Sequence, residues 1–137
     1  MTGSIAAYKA VLLVRALVRA GALVQPVMTR SAGRFIGAAT LEGLTGRPVY
    51  TDMFAVPGEV HVTLGRESDF IIIVPATADV LARLANGHAD DVVTATVLCS
   101  RCPVLIAPAM HPRMWEHPTT QRNAERLRGL PGWQLLG

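Results

Sequence analysis

Aromatic side chains make up only 5% of this 137-residue chain, with 3 Phe, 2 Tyr and 2 Trp. So few rings cannot fill a core alone. The half of the sequence that is apolar, rich in Ala, Val and Leu, must supply it. Small residues of this kind suit helices packed closely on a parallel sheet. No apolar run approaches the roughly 20 residues needed to span a bilayer. Residues 11–18 come nearest, but Arg15 breaks that run and Arg19 follows it without a small-residue cleavage site, so no signal peptide is expected. The 2 cysteines form a single C-x-x-C, Cys99 and Cys102, with no second pair and no His at zinc spacing. Reduced thiols with no metal or redox role are the expectation, in a cytoplasmic protein. A net charge of +3 is modest, and the arginines (Arg15, Arg19, Arg30, Arg34, Arg47, Arg66, Arg83, Arg101) are scattered, which argues against nucleic acid as a partner. Repeats, low-complexity tracts and linkers are also missing. A chain of this length builds one globular domain, here residues 1–137.

What the chain does contain is an alternation of helix and strand patterns. Residues 5–20 carry apolar side chains at helical spacing, with Lys9, Arg15 and Arg19 turned to water and Gly21 as a stop. Residues 22–28 read as a strand, in which Pro26 prevents full ladder pairing. Residues 31–37 and 41–45 read as helical turns, 47–50 as a short strand and 59–66 as a short helix. Phe70-Ile71-Ile72-Ile73-Val74 is a continuous run, the pattern of a strand buried on both faces. Helices are expected over 78–85, 90–100 and 119–128, a second buried strand over 104–107 and a last strand over 133–136. The whole predicts an α/β fold with a Rossmann-like, flavodoxin-like parallel sheet in three layers, with ligands at the carboxyl ends of its strands.

Four loops at those ends carry suitable chemistry. Thr2-Gly3-Ser4-Ile5 offers a glycine, hydroxyls and helix N-terminal amides, an arrangement suited to a phosphate, although an ordinary N-cap explains it equally well. Met28-Thr29-Arg30-Ser31 adds two hydroxyls, and Pro75-Ala76-Thr77-Ala78-Asp79 follows the apolar run. Pro108-Ala109-Met110-His111-Pro112-Arg113-Met114-Trp115 sets polarizable and rigid side chains on a backbone fixed by prolines, suited to a flat ligand or to a plain buried loop.

Taken in order, Gly3-Ser4-Ile5-Ala6-Ala7-Tyr8-Lys9, Pro75-Ala76-Thr77-Ala78-Asp79, Ala85-Asn86-Gly87-His88-Ala89-Asp90-Asp91 and the residue 108–115 motif resemble the homo-oligomeric flavin-containing cysteine decarboxylases. Within that family the match is best to the phosphopantothenoylcysteine decarboxylases of coenzyme A biosynthesis. The resemblance implies FMN as cofactor, with Gly3, Ser4, Ile5, Thr29 and Ser31 at its phosphate. It implies Thr77, Ala78, Asp79 and Ala109 beside the flavin, Met110 and His111 at the substrate, and His61 as the active-site histidine. The implied reaction oxidises the cysteinyl thiol side, uses the resulting thioaldehyde-like group as an electron sink for loss of carbon dioxide, and then reduces and reprotonates the enethiol. Trimers, often assembled into dodecamers, are the implied state. A peptidyl-cysteine decarboxylase and a flavin-binding homologue without full activity are the alternatives.

The sequence departs from the family pattern in four places. Asp79 stands where many relatives have Asn, and His111 stands where the family has Asn, as a variant substrate contact. The resemblance also implies a central first strand ahead of the phosphate loop and a Gly-rich flap with a cysteine beyond the last helix. Neither is present, and neither Cys99 nor Cys102 occupies the flap position. A sheet lacking that strand is expected to be poorly soluble or to borrow a strand from a neighbour.

Overall fold

The computed structural model describes residues 1–137. Its elements are α1 (Ala7–Arg19), a 3-10 turn (Ser31–Arg34), α2 (Ala38–Thr45), α3 (Val60–Glu67), β1 (Ile71–Ala76), α4 (Ala78–Ala85) and α5 (Val92–Cys99). Then come β2 (Val104–Pro108), α6 (Pro112–Glu116), α7 (Pro118–Arg128) and β3 (Trp133–Leu135). The three strands lie side by side in the order β1-β2-β3, all parallel. Register places Ile71, Val104 and Trp133 in one row and Ile73, Ile106 and Leu135 in the row two residues further along the strands. Because side chains alternate along a strand, all six share a face. On it Ile73, Val104 and Ile106 are buried together with Val80 and Leu81 of α4, Val97 of α5 and Leu127 of α7. A smaller core of Met28, Ala32 and Leu41 takes Val11 and Val14 from α1. This is the parallel α/β class that the alternating pattern predicts.

The opposite face differs from expectation. Ile72 and Leu105 are half-buried, Gln134 is exposed, and Phe70 precedes β1 with half its surface in water. The run over 70–74 is therefore not buried on both faces, because α1 packs against β1 without sealing that side of the sheet in one chain. Residues 22–28 and 47–50 form no strand but only a parallel bridge between Val27 and Tyr50. Pro26 and Pro48 have no N–H to donate, which limits any ladder between the two segments. Met1 lies beside the first of them: its nitrogen donates to the Val27 carbonyl at 2.7 Å, and Thr29 N–H donates to the Met1 carbonyl at 3.0 Å. The expected loop at 108–115 contains the short α6, which Pro112 begins.

Ile106 sits at the centre of the covered face with no exposed surface. Ile106→Ala should lower the unfolding free energy by about 2–5 kcal/mol in urea titration, because the sheet and helices collapse only partly onto the void. A loss below about 1 kcal/mol would contradict this placement of the core.

Candidate functional site

The four loops singled out from sequence meet at the carboxyl ends of the strands. Thr2 is buried, and its hydroxyl donates to the Pro75 carbonyl, which ties the first loop to the end of β1. Gly3 lies against the second loop so closely that a Cβ there would fall 2.5 Å from Ser31 Cβ and 2.8 Å from the Ser31 carbonyl carbon. Ala109 N–H donates to the Ala76 carbonyl at 2.9 Å, joining the third and fourth loops. Three contacts thus assemble Ser31, Gly3, Thr2, Pro75, Ala76 and Ala109 into one surface.

Its free polar groups are mainly hydrogen-bond donors, a set that suits an anion. α1 begins at Ala7, two residues later than the periodicity suggests, because Ser4 takes the first helical amides: Ala6 N–H donates to Ser4 Oγ at 3.2 Å and Ala7 N–H to the Ser4 carbonyl at 2.9 Å. The open donors are therefore loop amides, those of Gly3, Ser4, Ile5 and Ser31, which donate to no group of the chain. Thr29 Oγ1 accepts from Ala32 N–H at 3.2 Å, which leaves its O–H to donate elsewhere. Thr77 caps α4 in the same way through Val80 N–H, so the amides of Ala78 and Asp79 open the helix toward the cluster. A phosphate ester fits this donor set.

Below the loops lies a charged anchor. Arg83 on α4 binds Asp90, and also Asp91 at 3.1 Å; Asp91 in turn caps α5 by accepting from Thr94 N–H at 2.9 Å. Partial burial works against the Arg83 charge, but the hydrogen bond to Asp91 and the charges of Asp90, Asp91 and Asp79 prevail and raise its pKa. Burial lowers the Met1 amine to about 5, opposed by the charge of Asp91.

The two histidines are placed differently. His111 is exposed beyond Met110, and its Nδ1 accepts from Arg113 N–H at 3.2 Å. Acceptance at Nδ1 puts the ring hydrogen on Nε2, so His111 presents a donor outward while capping α6. Met110 packs on the main core and lines a hollow of about 220 Å³ with Pro108, Trp115, Leu136 and Gly137. His61 is half-buried on α3, whose packing partner is α5, and no hydrogen bond links it to the four loops. Its Nδ1 is the one buried side-chain polar atom of the chain without a partner. Sequence reasoning passed over Arg83, whose acidic partners lie seven and eight residues on, and Gly65, whose signal was a glycine inside a helical pattern.

A parallel α/β sheet with unpaired loop amides gathered at the carboxyl ends of its strands is an arrangement that suits a phosphate-bearing ligand. The chain belongs to the flavoprotein family, whose model matches residues 1–137. It is 56% identical over 129 residues to the coenzyme A biosynthesis bifunctional protein CoaBC of Mycobacterium tuberculosis, covering 93% of this chain and 31% of that protein. The chain thus spans about a third of that relative's length. Among solved structures it resembles the FMN-dependent cysteine decarboxylase SpaF, with TM-score 0.89 and 39% identity over 98% of this chain and 79% of that one. It also resembles a PPC decarboxylase complexed with pantothenoylaminoethenethiol, with TM-score 0.86 and 30% identity over 98% and 77% of the two chains.

The anchor gives a contrast between two neighbouring carboxylates. Asp91→Ala removes a helix cap and should cost about 1–2 kcal/mol of stability. Asp90 is 69% exposed, and Asp90→Ala should change stability by less than about 1 kcal/mol. Equal urea midpoints for the two variants would show that the cap does not hold α5.

Proposed function

We propose that the chain is the FMN-dependent part of an enzyme that decarboxylates 4'-phosphopantothenoylcysteine to 4'-phosphopantetheine. The observation that carries the reading is the closed cluster of four loops with the unpaired amides of Gly3, Ser4, Ile5 and Ser31 at one end. Those amides, with the hydroxyls of Thr29 and Ser31, hold the FMN phosphate. Thr77, Ala78, Asp79 and Ala109 border the isoalloxazine, since Ala109 is pinned to the end of β1 beside them. The names of the relatives support the cofactor and the reaction class. Bound FMN supplies a two-electron oxidant at the thiol side of the substrate, which makes loss of the neighbouring carboxylate feasible.

The chain's own residues supply the rest. His111 offers its Nε2 hydrogen to the substrate carboxylate while Nδ1 stays engaged with α6. Met110 borders the same substrate. His61 moves the proton, a role that an imidazole commonly serves as general acid and base. Within one chain no hydrogen bond joins His61 to the loops, and Ile5 just ahead of α1, with Tyr8 and Leu12 on one face of it, leave 80%, 55% and 60% of their surface exposed. Both observations favour a homo-oligomer, a trimer or a dodecamer built from trimers, in which one chain's His61 serves a neighbour's flavin. The setting is cytoplasmic; no helix is long and apolar enough to cross a membrane.

Ser4→Asp sets a like charge against the phosphate and should leave the purified protein colourless, whereas full flavin absorbance would overturn the phosphate assignment. His61→Asn should keep the yellow colour and slow carbon dioxide release by about 10²–10⁴-fold. Release from phosphopantothenoylcysteine but not from a cysteine-ended peptide supports the small-molecule reading. The reverse result makes the protein a peptide decarboxylase, and release from neither leaves a flavin-binding homologue.

A further inference from the structure

Gly65 lies on α3 four residues after His61, so the two positions stand one above the other on the same side of the helix. Its backbone is not left-handed, and conformational freedom does not explain the glycine. Space does. A Cβ at Gly65 would fall 2.8 Å from the Thr96 carbonyl oxygen and 2.9 Å from both the carbonyl carbon and Cβ of Cys99, all on α5. Two of those three atoms are backbone and cannot rotate away. α5 is itself a fixed wall: every residue over 92–97 is buried, and Asp91, held by Arg83, caps its start. The missing side chain lets α3 sit directly on α5.

His61 depends on that seat more than most side chains would. Its buried Nδ1 has no hydrogen-bond partner, so within the chain no polar contact fixes the ring. The position of the imidazole is set by where α3 rests. We infer that Gly65 is a positioning residue for His61, acting through the close approach of α3 to α5; the inference rests on the proposed role of His61 as proton relay. A methyl at position 65 forces α3 outward by about 0.5–1 Å to regain ordinary carbon–carbon spacing. A displacement of that size at a proton-transfer group lowers turnover by about 10–100-fold.

A double-mutant cycle tests this in the flavin-loaded protein. Gly65→Ala should retain FMN absorbance and KM while kcat for carbon dioxide release falls by about 10–100-fold. In a His61→Asn background the same substitution should change kcat by less than about twofold, because the group it displaces is already gone. Equal losses in both backgrounds, or loss of flavin from Gly65→Ala, would overturn the inference and make the glycine a packing residue only. If Gly65→Ala does not fold, the cycle is run with Cys99→Val, which thickens the α5 side of the same seat, and it is decided by the same two outcomes. Should His61→Asn alone keep full kcat, the reading of His61 fails, and that failure is distinct from additivity in the cycle.

Discussion

The carboxyl end of β1 governs the site. A strand that stops inside a protein leaves carbonyls that no ladder can serve, and each one buried without a donor costs about 1–3 kcal/mol. Here the Pro75 carbonyl accepts the Thr2 hydroxyl, and the Ala76 carbonyl accepts the Ala109 amide. Those two bonds draw the first and fourth loops onto the third. Gly3 then brings the second loop into contact, because nothing larger fits against Ser31. The bonds that satisfy the strand end are therefore the ones that assemble the binding surface. The amides left over, at Gly3, Ser4, Ile5 and Ser31, become free to receive a ligand.

A second line of support runs below the loops. Arg83 on α4 grips Asp91, Asp91 caps α5, and α5 provides the wall on which α3 rests through Gly65. His61 is carried at the end of that series. The binding surface and the half-buried histidine are thus held by different parts of the fold. A single chain leaves an apolar face of α1 exposed and one side of the sheet part-covered.

Much of this was legible in the sequence. The helix expected over 78–85 is α4 as observed, and Thr77 caps its start while Gly87 stands just past its end. The short apolar runs located β1 and β2, and the loops at 28–31, 75–79 and 108–115 were singled out from their position after strand-like segments, the loop at 2–5 from the helix it opens. The errors have identifiable causes. Hydrophobicity over 70–74 reports what a strand could bury, not what one chain covers, so the open side of the sheet was invisible. Segments 22–28 and 47–50 had the right composition for strands, but each contains a proline, and only the Val27–Tyr50 bridge survives. α6 was hidden because Pro112 reads equally as loop or helix start. Gly65 could not be interpreted from sequence, because its reason is the backbone of a helix about thirty residues away.

The loop amides are proposed to hold the flavin phosphate. Backbone amide chemical shifts recorded during titration of the flavin-free protein with FMN test it most directly. On FMN binding the amides of Gly3, Ser4, Ile5 and Ser31 should move furthest downfield, whereas riboflavin, which lacks the phosphate, should leave them nearly unmoved. Saturation with FMN while those four resonances stay in place would contradict it.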